Sequence, residues 1–326
     1  MTPVAPKPLL PALAGALALF TGISPARGQA APLAPRGGGQ VGDTAFTPTV
    51  EHPEWAPGAG PLVLLDEAHH NFHTTTGRYA TFATLLRRDG MTVAPNTRPF
   101  SPAGLAKARV LVIANALGAR NAGGNWNLPT PSAFTAEEIA AVRDWVTAGG
   151  SLLLIADHMP FPGAAADLAA AFGVTFQNGF ATDRRAVTDE FGFRRADGSL
   201  GDHVVTRGRT AAERVDSVRS FTGQAFAVPA GAVGLLRVPT DGVILLPDTA
   251  WRFSDRTRRV SSAGMVQGAL LRVGRGRVAL FGEAAMFSAQ VTGPDRHPFG
   301  MNAPNAGQNA RFLLNVMHWL TGRLPD

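Results

Sequence analysis

Three runs of aliphatic residues constrain this chain more than any other feature: 62–65 (LVLL), 109–114 (RVLVIA) and 151–156 (SLLLIA). A strand with one wet face alternates apolar and polar residues. A strand apolar throughout must be covered on both faces, which is the situation of parallel strands layered between helices. Helical patterns fall between these runs. Tyr79, Phe82, Leu85 and Leu86 are spaced for one helix face over 79–88, which stops at Asp89-Gly90. Thr135 with Glu138 three residues on forms a capping box, flanked by the staple pair Phe134 and Ile139. The helix that follows carries Ile139, Val142, Trp145 and Val146 and ends at Gly149-Gly150. Further helices are expected over 164–172 and 306–320, and further strands over 243–246, 265–273 and 277–281. The fold class expected is α/β, a doubly wound and largely parallel sheet.

The start of the chain has the pattern of an export signal. Residues 1–7 are weakly positive, 9–23 form an apolar run, and Gly28-Gln29-Ala30 offers small residues for cleavage after Ala30, with Ala26 as the alternative. The apolar run is shorter than the roughly twenty residues a membrane span needs. The mature protein is therefore expected outside the cytoplasm, periplasmic or secreted, with no membrane span. Residues 31–60, rich in Pro, Gly and Ala, read as a flexible lead-in. Residues 61–326 read as one domain, with 178–233 as an irregular insertion or cap.

Composition excludes several chemistries. The chain has no cysteine, so it has no thiol nucleophile, zinc–thiolate site or iron–sulfur cluster. The net charge of +6 rests on scattered arginines without interleaved aromatics, which argues against a nucleic-acid partner.

The unusual polar residues cluster where such strands end. The first run leads into Asp66-Glu67-Ala68-His69-His70-Asn71-Phe72-His73, the third into Asp157-His158, and the late strand into Gly282-Glu283. Four of the eight histidines lie in two of these segments. In open α/β sheets ligands bind beyond the carboxyl ends of the strands, so the segments are expected to share one cleft. Each residue also has an ordinary use: Asp66 and Asp157 as helix caps, Glu283 as acceptor of helix-terminal amides, His69 and His73 as decoration of a first turn.

The segment SLLLIADHMPFPGAAADLAAAFGV resembles the nucleophile-elbow stretch of class I glutamine amidotransferases, with Asp157 or His158 where that family has its catalytic cysteine. The segment GRVALFGEAAMFS is similar to the final strand and turn of cysteine-less relatives of that fold, the gliding-motility/intraflagellar-transport type and trehalose-utilisation type domains. The resemblance implies a flavodoxin-like or glutamine-amidotransferase-like sheet that delivers Glu283 to the site. Amidotransferase chemistry does not carry over, because the cysteine is missing.

Two readings of function remain open. One is a hydrolase-like enzyme acting on a polar small molecule, with Asp66, Glu67, Asp157, His158 and Glu283 as acid–base residues. A divalent ion such as zinc would be held by His69, His73, Asp157 and His158, although DEAHHNFH is not an HExxH motif. The other is a non-catalytic module that binds carbohydrate or a protein, as the resemblance implies. His70, Asn71, Asn115, Asn125, Trp126 and Asn302 are the expected substrate-binding residues in either case.

Overall fold

Along the buried strands successive side chains point to opposite faces, and each set finds its own helices. The computed structural model describes residues 1–2, 39–184 and 188–325. The expected signal peptide, apart from Met1 and Thr2, and the first part of the lead-in lie outside the described residues. The central sheet has seven strands: β1 Leu62–Asp66, β2 Thr92–Asn96, β3 Val110–Ala114, β4 Ser151–Ile155, β5 Val233–Arg237, β6 Val266–Val273 and β7 Gly276–Phe281. Their order is β2-β1-β3-β4-β7-β6-β5. The first five in that order run parallel, while β6 is antiparallel to both its neighbours.

The helices that cover the sheet are α1 Ala80–Arg88, α2 Ala136–Thr147, α3 Phe161–Ala170 and α4 Asn309–Thr321. On one face Val110, Val112, Leu153 and Ile155 pack with Phe82 and Leu85 of α1 and Phe312, Val316 and Trp319 of α4. On the other, Leu111, Ile113, Leu152 and Leu154 pack with Val142 and Val146 of α2 and Leu168 of α3. The sheet is thus doubly wound and largely parallel, as the aliphatic runs require.

The capping box forms: Glu138 N donates to Thr135 Oγ1 at 3.3 Å and Thr135 N to Glu138 Oε2 at 3.0 Å. The sequence reading did not include β2. This strand is TVAPN at the sheet edge, where Pro95 is tolerated because no neighbour waits for its missing N–H.

The stretch 178–233 is woven into the body. Phe180–Thr182 pairs with Val243–Leu246 in a small antiparallel sheet completed by Arg258–Ser261. A two-stranded antiparallel sheet of Phe191–Arg194 and Ser217–Ser220 buries Phe193 and Val218 in the core that also holds α4. The described part of the lead-in also packs. Val41–Gly42 forms a third small sheet with Ala289–Thr292 and His297–Gly300, and Phe46, Val50 and Trp55 pack against the core. No helix among the described residues is long and apolar enough to cross a membrane.

The order of the parallel strands creates a switch point. From β1 the chain crosses to β2 on one side and then to β3 on the other, leaving a crevice beyond the carboxyl ends of β1 and β3.

Candidate functional site

Asp66, Asn115, Asp157 and Glu283 stand at or just beyond the carboxyl ends of β1, β3, β4 and β7. Asn115 organises the crevice. Its φ of 52° lies in the left-handed region that asparagine tolerates. This turn lets its Oδ1 accept the Asp157 N–H at 2.9 Å while its carbonyl accepts the Phe72 N–H at 2.9 Å. One side chain and one carbonyl thus tie the loops after β1, β3 and β4 together.

A cavity of about 320 Å³ opens among these loops. His73, Asn115, Trp126, Asp157 and His158, all anticipated from the sequence, line it. So do Phe72, Arg78, Phe161 and Trp251, which the sequence reading did not single out. The walls are aromatic. Phe72 meets Trp126 edge-on at 5.5 Å, Trp126 meets Phe161 at 5.4 Å, and His158 is stacked on Phe180 at 4.8 Å with Trp251 edge-on at 4.6 Å. Trp251 has φ 65°, an uncommon conformation for a bulky residue, and it sits in the cavity wall.

The polar groups between these walls are held in definite states. Asp157 accepts the His158 N–H at 2.8 Å, and burial raises its carboxyl above the usual aspartate range. His158 Nδ1 lies 2.7 Å from the Met159 carbonyl, which can only accept, so Nδ1 carries the proton and Nε2 is the position left for a ligand. Burial, with the Arg78 charge added, pushes His73 down to about 3, so its ring is neutral.

Glu283 is fully buried behind the cavity. Its two oxygens accept the N–H groups of Ala285 at 2.7 Å and Met286 at 2.8 Å, capping the short turn Ala285–Phe287. Burial first, then the Asp157 charge, pushes its carboxyl well above the usual range. Asp157 and Glu283 therefore hold one proton more readily than two separate carboxyls would. Tyr79 donates to the Ala284 carbonyl at 2.9 Å, and burial together with the same two acids keeps its hydroxyl protonated.

Asp66 and His69 belong to a different arrangement. His69 Nδ1 reaches both Asp66 oxygens at 2.9 and 3.0 Å, while Nε2 reaches Glu138 Oε1 at 2.8 Å. The ring packs against Phe100 and Phe134 at 4.7 and 4.8 Å. With both nitrogens donating to carboxylates, His69 has no lone pair for a metal. The expected zinc-type set of His69, His73, Asp157 and His158 does not assemble, and among the described residues no group of three or more His, Asp or Glu is placed to hold an ion. The donor set does not fit a divalent metal.

The remaining candidates lie outside the cavity lining. Glu67 accepts the N–H and hydroxyl of Thr75, both at 2.7 Å. His70 is exposed, and Asn71 Oδ1 accepts the His69 N–H. Asn125 is exposed, and its carbonyl accepts from Asn121. Asn302 donates to Asp43 and to the Gln290 carbonyl. Phe72 lay within the run already noticed and was legible by position. Nothing in the pattern around Arg78 or Trp251 announced a site.

Comparison with solved structures places this geometry on a known fold. The mmIFT52 N-terminal domain superposes with a TM-score of 0.53 at 15% identity, over 80% of this chain and 97% of that one. The chain shares that fold. Two further structures align at lower scores. The cytoplasmic protein STM1381 from Salmonella typhimurium LT2 covers 79% of this chain and 98% of its own at 14% identity, TM-score 0.47. A ThuA-like protein from Bacteroides uniformis covers 80% and 92% at 12% identity, TM-score 0.44. The intraflagellar-transport type named from the late segment GRVALFGEAAMFS thus recurs as a shared fold. No protein-family model matches the chain, and no curated protein matches it in sequence.

Proposed function

We propose that this chain is an exported protein that binds a compact polar molecule of the carbohydrate class in the cavity at the strand ends. The observation that carries this reading is the aromatic enclosure of Asp157, His158 and Asn115 by Phe72, Trp126, Phe161 and Trp251. Flat apolar faces suit the C–H face of a sugar ring, while the convergent amide, acid and imidazole suit its hydroxyls. The volume is at the small end of the roughly 300–1,000 Å³ usual for small-molecule sites. Export is supported by the signal-like segment 1–30.

A second reading, hydrolase-like chemistry in the same cavity, is favoured by Asp157. Its raised proton affinity beside His158 is the property a general acid–base group needs near neutral pH. Against two-carboxylate glycoside hydrolysis, Glu283 has both oxygens engaged by backbone amides and does not line the cavity. The two readings share a test. Monosaccharides and disaccharides are screened by calorimetry and by shift of melting temperature, and the bound sugars are then examined for breakdown. Saturable binding without products supports a binding module, and products lost in Asp157→Asn support the hydrolase. No binding by any sugar defeats the carbohydrate reading.

A further inference from the structure

We propose that the ligand carries a carboxylate seated against Arg78, so that the cavity prefers acidic ring-sized molecules, of the hexuronate kind, over neutral ones. This rests on the cavity being the ligand site and adds the ligand's charge to that reading.

Among the described residues lining the cavity, Arg78 is the one arginine or lysine. Its guanidinium is held in place: it lies 3.9 Å from the centre of the Phe72 ring, and Nη2 donates to the Gln40 carbonyl at 3.0 Å. Donor capacity is left over on the terminal nitrogens, since the Gln40 bond is the one hydrogen bond the guanidinium makes to the described residues; Nε, also without a partner, is buried. No carboxylate among the described residues forms an ion pair with it. Other arginines do find one: Arg195 pairs with Asp202 and Asp216, and Arg209 with Glu54 and Glu213. A half-buried cation in an aromatic cavity without a counter-ion is costly, and a bound anion removes that cost.

The other ionisable groups lining the cavity do not substitute for it. Asp157 resists ionisation because it is buried, and its oxygens face the amides of His158 and Ala284. His73 is neutral, and His158 has its Nδ1 engaged by the Met159 carbonyl. A single guanidinium, with no second arginine or lysine among the described lining residues, matches one negative charge, and its planar fork matches a carboxylate. A phosphate dianion would leave a charge unmet.

The test compares galacturonate, galactose and cyclohexanecarboxylate on the purified full chain by calorimetry, at low and high salt. The expected result is galacturonate bound at least about tenfold more tightly than galactose, as a charge-assisted hydrogen bond implies. That advantage should shrink with salt, disappear in Arg78→Gln and partly survive in Arg78→Lys. Equal binding of galactose and galacturonate by the unaltered protein overturns the carboxylate assignment and leaves the carbohydrate reading standing. Cyclohexanecarboxylate bound as tightly as galacturonate, with galactose ignored and Arg78→Gln blind to both acids, supports the assignment and overturns the carbohydrate reading. Binding of none of the three overturns both. The comparison on unaltered protein needs no variant to fold.

Discussion

Nε2 of His69 donates to Oε1 of Glu138 across 2.8 Å, although 69 residues separate them in the chain. Glu138 also accepts the N–H groups of Phe100 and Thr135, and the other ring nitrogen of His69 is held by Asp66. One buried imidazolium thereby locks the loop after β1, which carries Phe72 and His73 into the cavity, onto the first turn of α2.

The clamp should be visible in stability. Removing the ring leaves two carboxylates without their shared partner, a loss of about 3–5 kcal/mol by analogy with other broken buried pairs. His69→Ala should lower the melting temperature by roughly 10 °C. Unchanged melting would show that the clamp bears no weight.

The pH window of that contribution follows from the signs. Burial alone would lower the His69 value, but the Asp66 and Glu138 bonds raise it above the ordinary 6.5. Its contribution is full below 6.5 and is lost as pH rises through the raised value. Burial would raise Glu138, but bonds from Thr135, Phe100 and His69 lower it below 4.5, so its contribution is full above 4.5 and is lost as pH falls through the lowered value. The melting-temperature difference between the unaltered protein and His69→Gln should therefore peak between these limits and shrink on both sides. A difference independent of pH would contradict the charged clamp.

Asp157 should behave in the opposite way to Glu138. Burial raises its carboxyl above 3.8, so the folded state holds the proton more firmly and stability falls as pH rises through the raised value. Asp157→Asn removes that penalty. At neutral pH it should melt at the same temperature as the unaltered protein or higher, while losing ligand binding. Loss of stability with binding intact would mark Asp157 as purely structural.

Trp126 is only half buried, yet it contacts Phe72, Phe161 and His158 at the cavity wall. Trp126→Ala should weaken sugar binding by about tenfold or more, within the range of stacked aromatic contacts, and lower the melting temperature by only a few degrees. Titration of the same sugar into both proteins decides it.

Chelation should leave the protein unchanged, because His69 has both nitrogens committed to carboxylates. Treatment with a chelator is expected to alter neither melting temperature nor ligand binding. A drop in either, restored by zinc, would require another donor set.

If export follows the signal-like start, mass spectrometry of protein recovered outside the cytoplasm should find an N-terminus near Ala31. An intact Met1 would refute cleavage.

The aliphatic runs at 110–114 and 151–155 and the Thr135–Glu138 box could be recognised by inspection, because burial on both faces and helix capping are written in neighbouring residues. β2 escaped notice because an edge strand needs no such run. Within the site, His73, Asn115, Asp157 and His158 were legible as polar residues following strand ends, and Trp126 as an aromatic among asparagines suited to a sugar. Arg78 was not, because its importance lies in the carboxylate it lacks, and a missing partner leaves no mark in a linear pattern.

Local chemistry along the chain therefore determined the layers, the helix start at Thr135 and the strand ends at which the polar residues gather. Tertiary structure decided how those residues divide. Asp66 and His69 follow the same strand as His73, yet the loop turns His69 toward Glu138 and His73 toward Asp157's cavity. Strand order brings Asp157 and Glu283 together across 126 residues, since β7 pairs with β4. Whether a histidine is a clamp or a cavity wall depends on which distant carboxylate meets its ring, and that is set only when the sheet has closed.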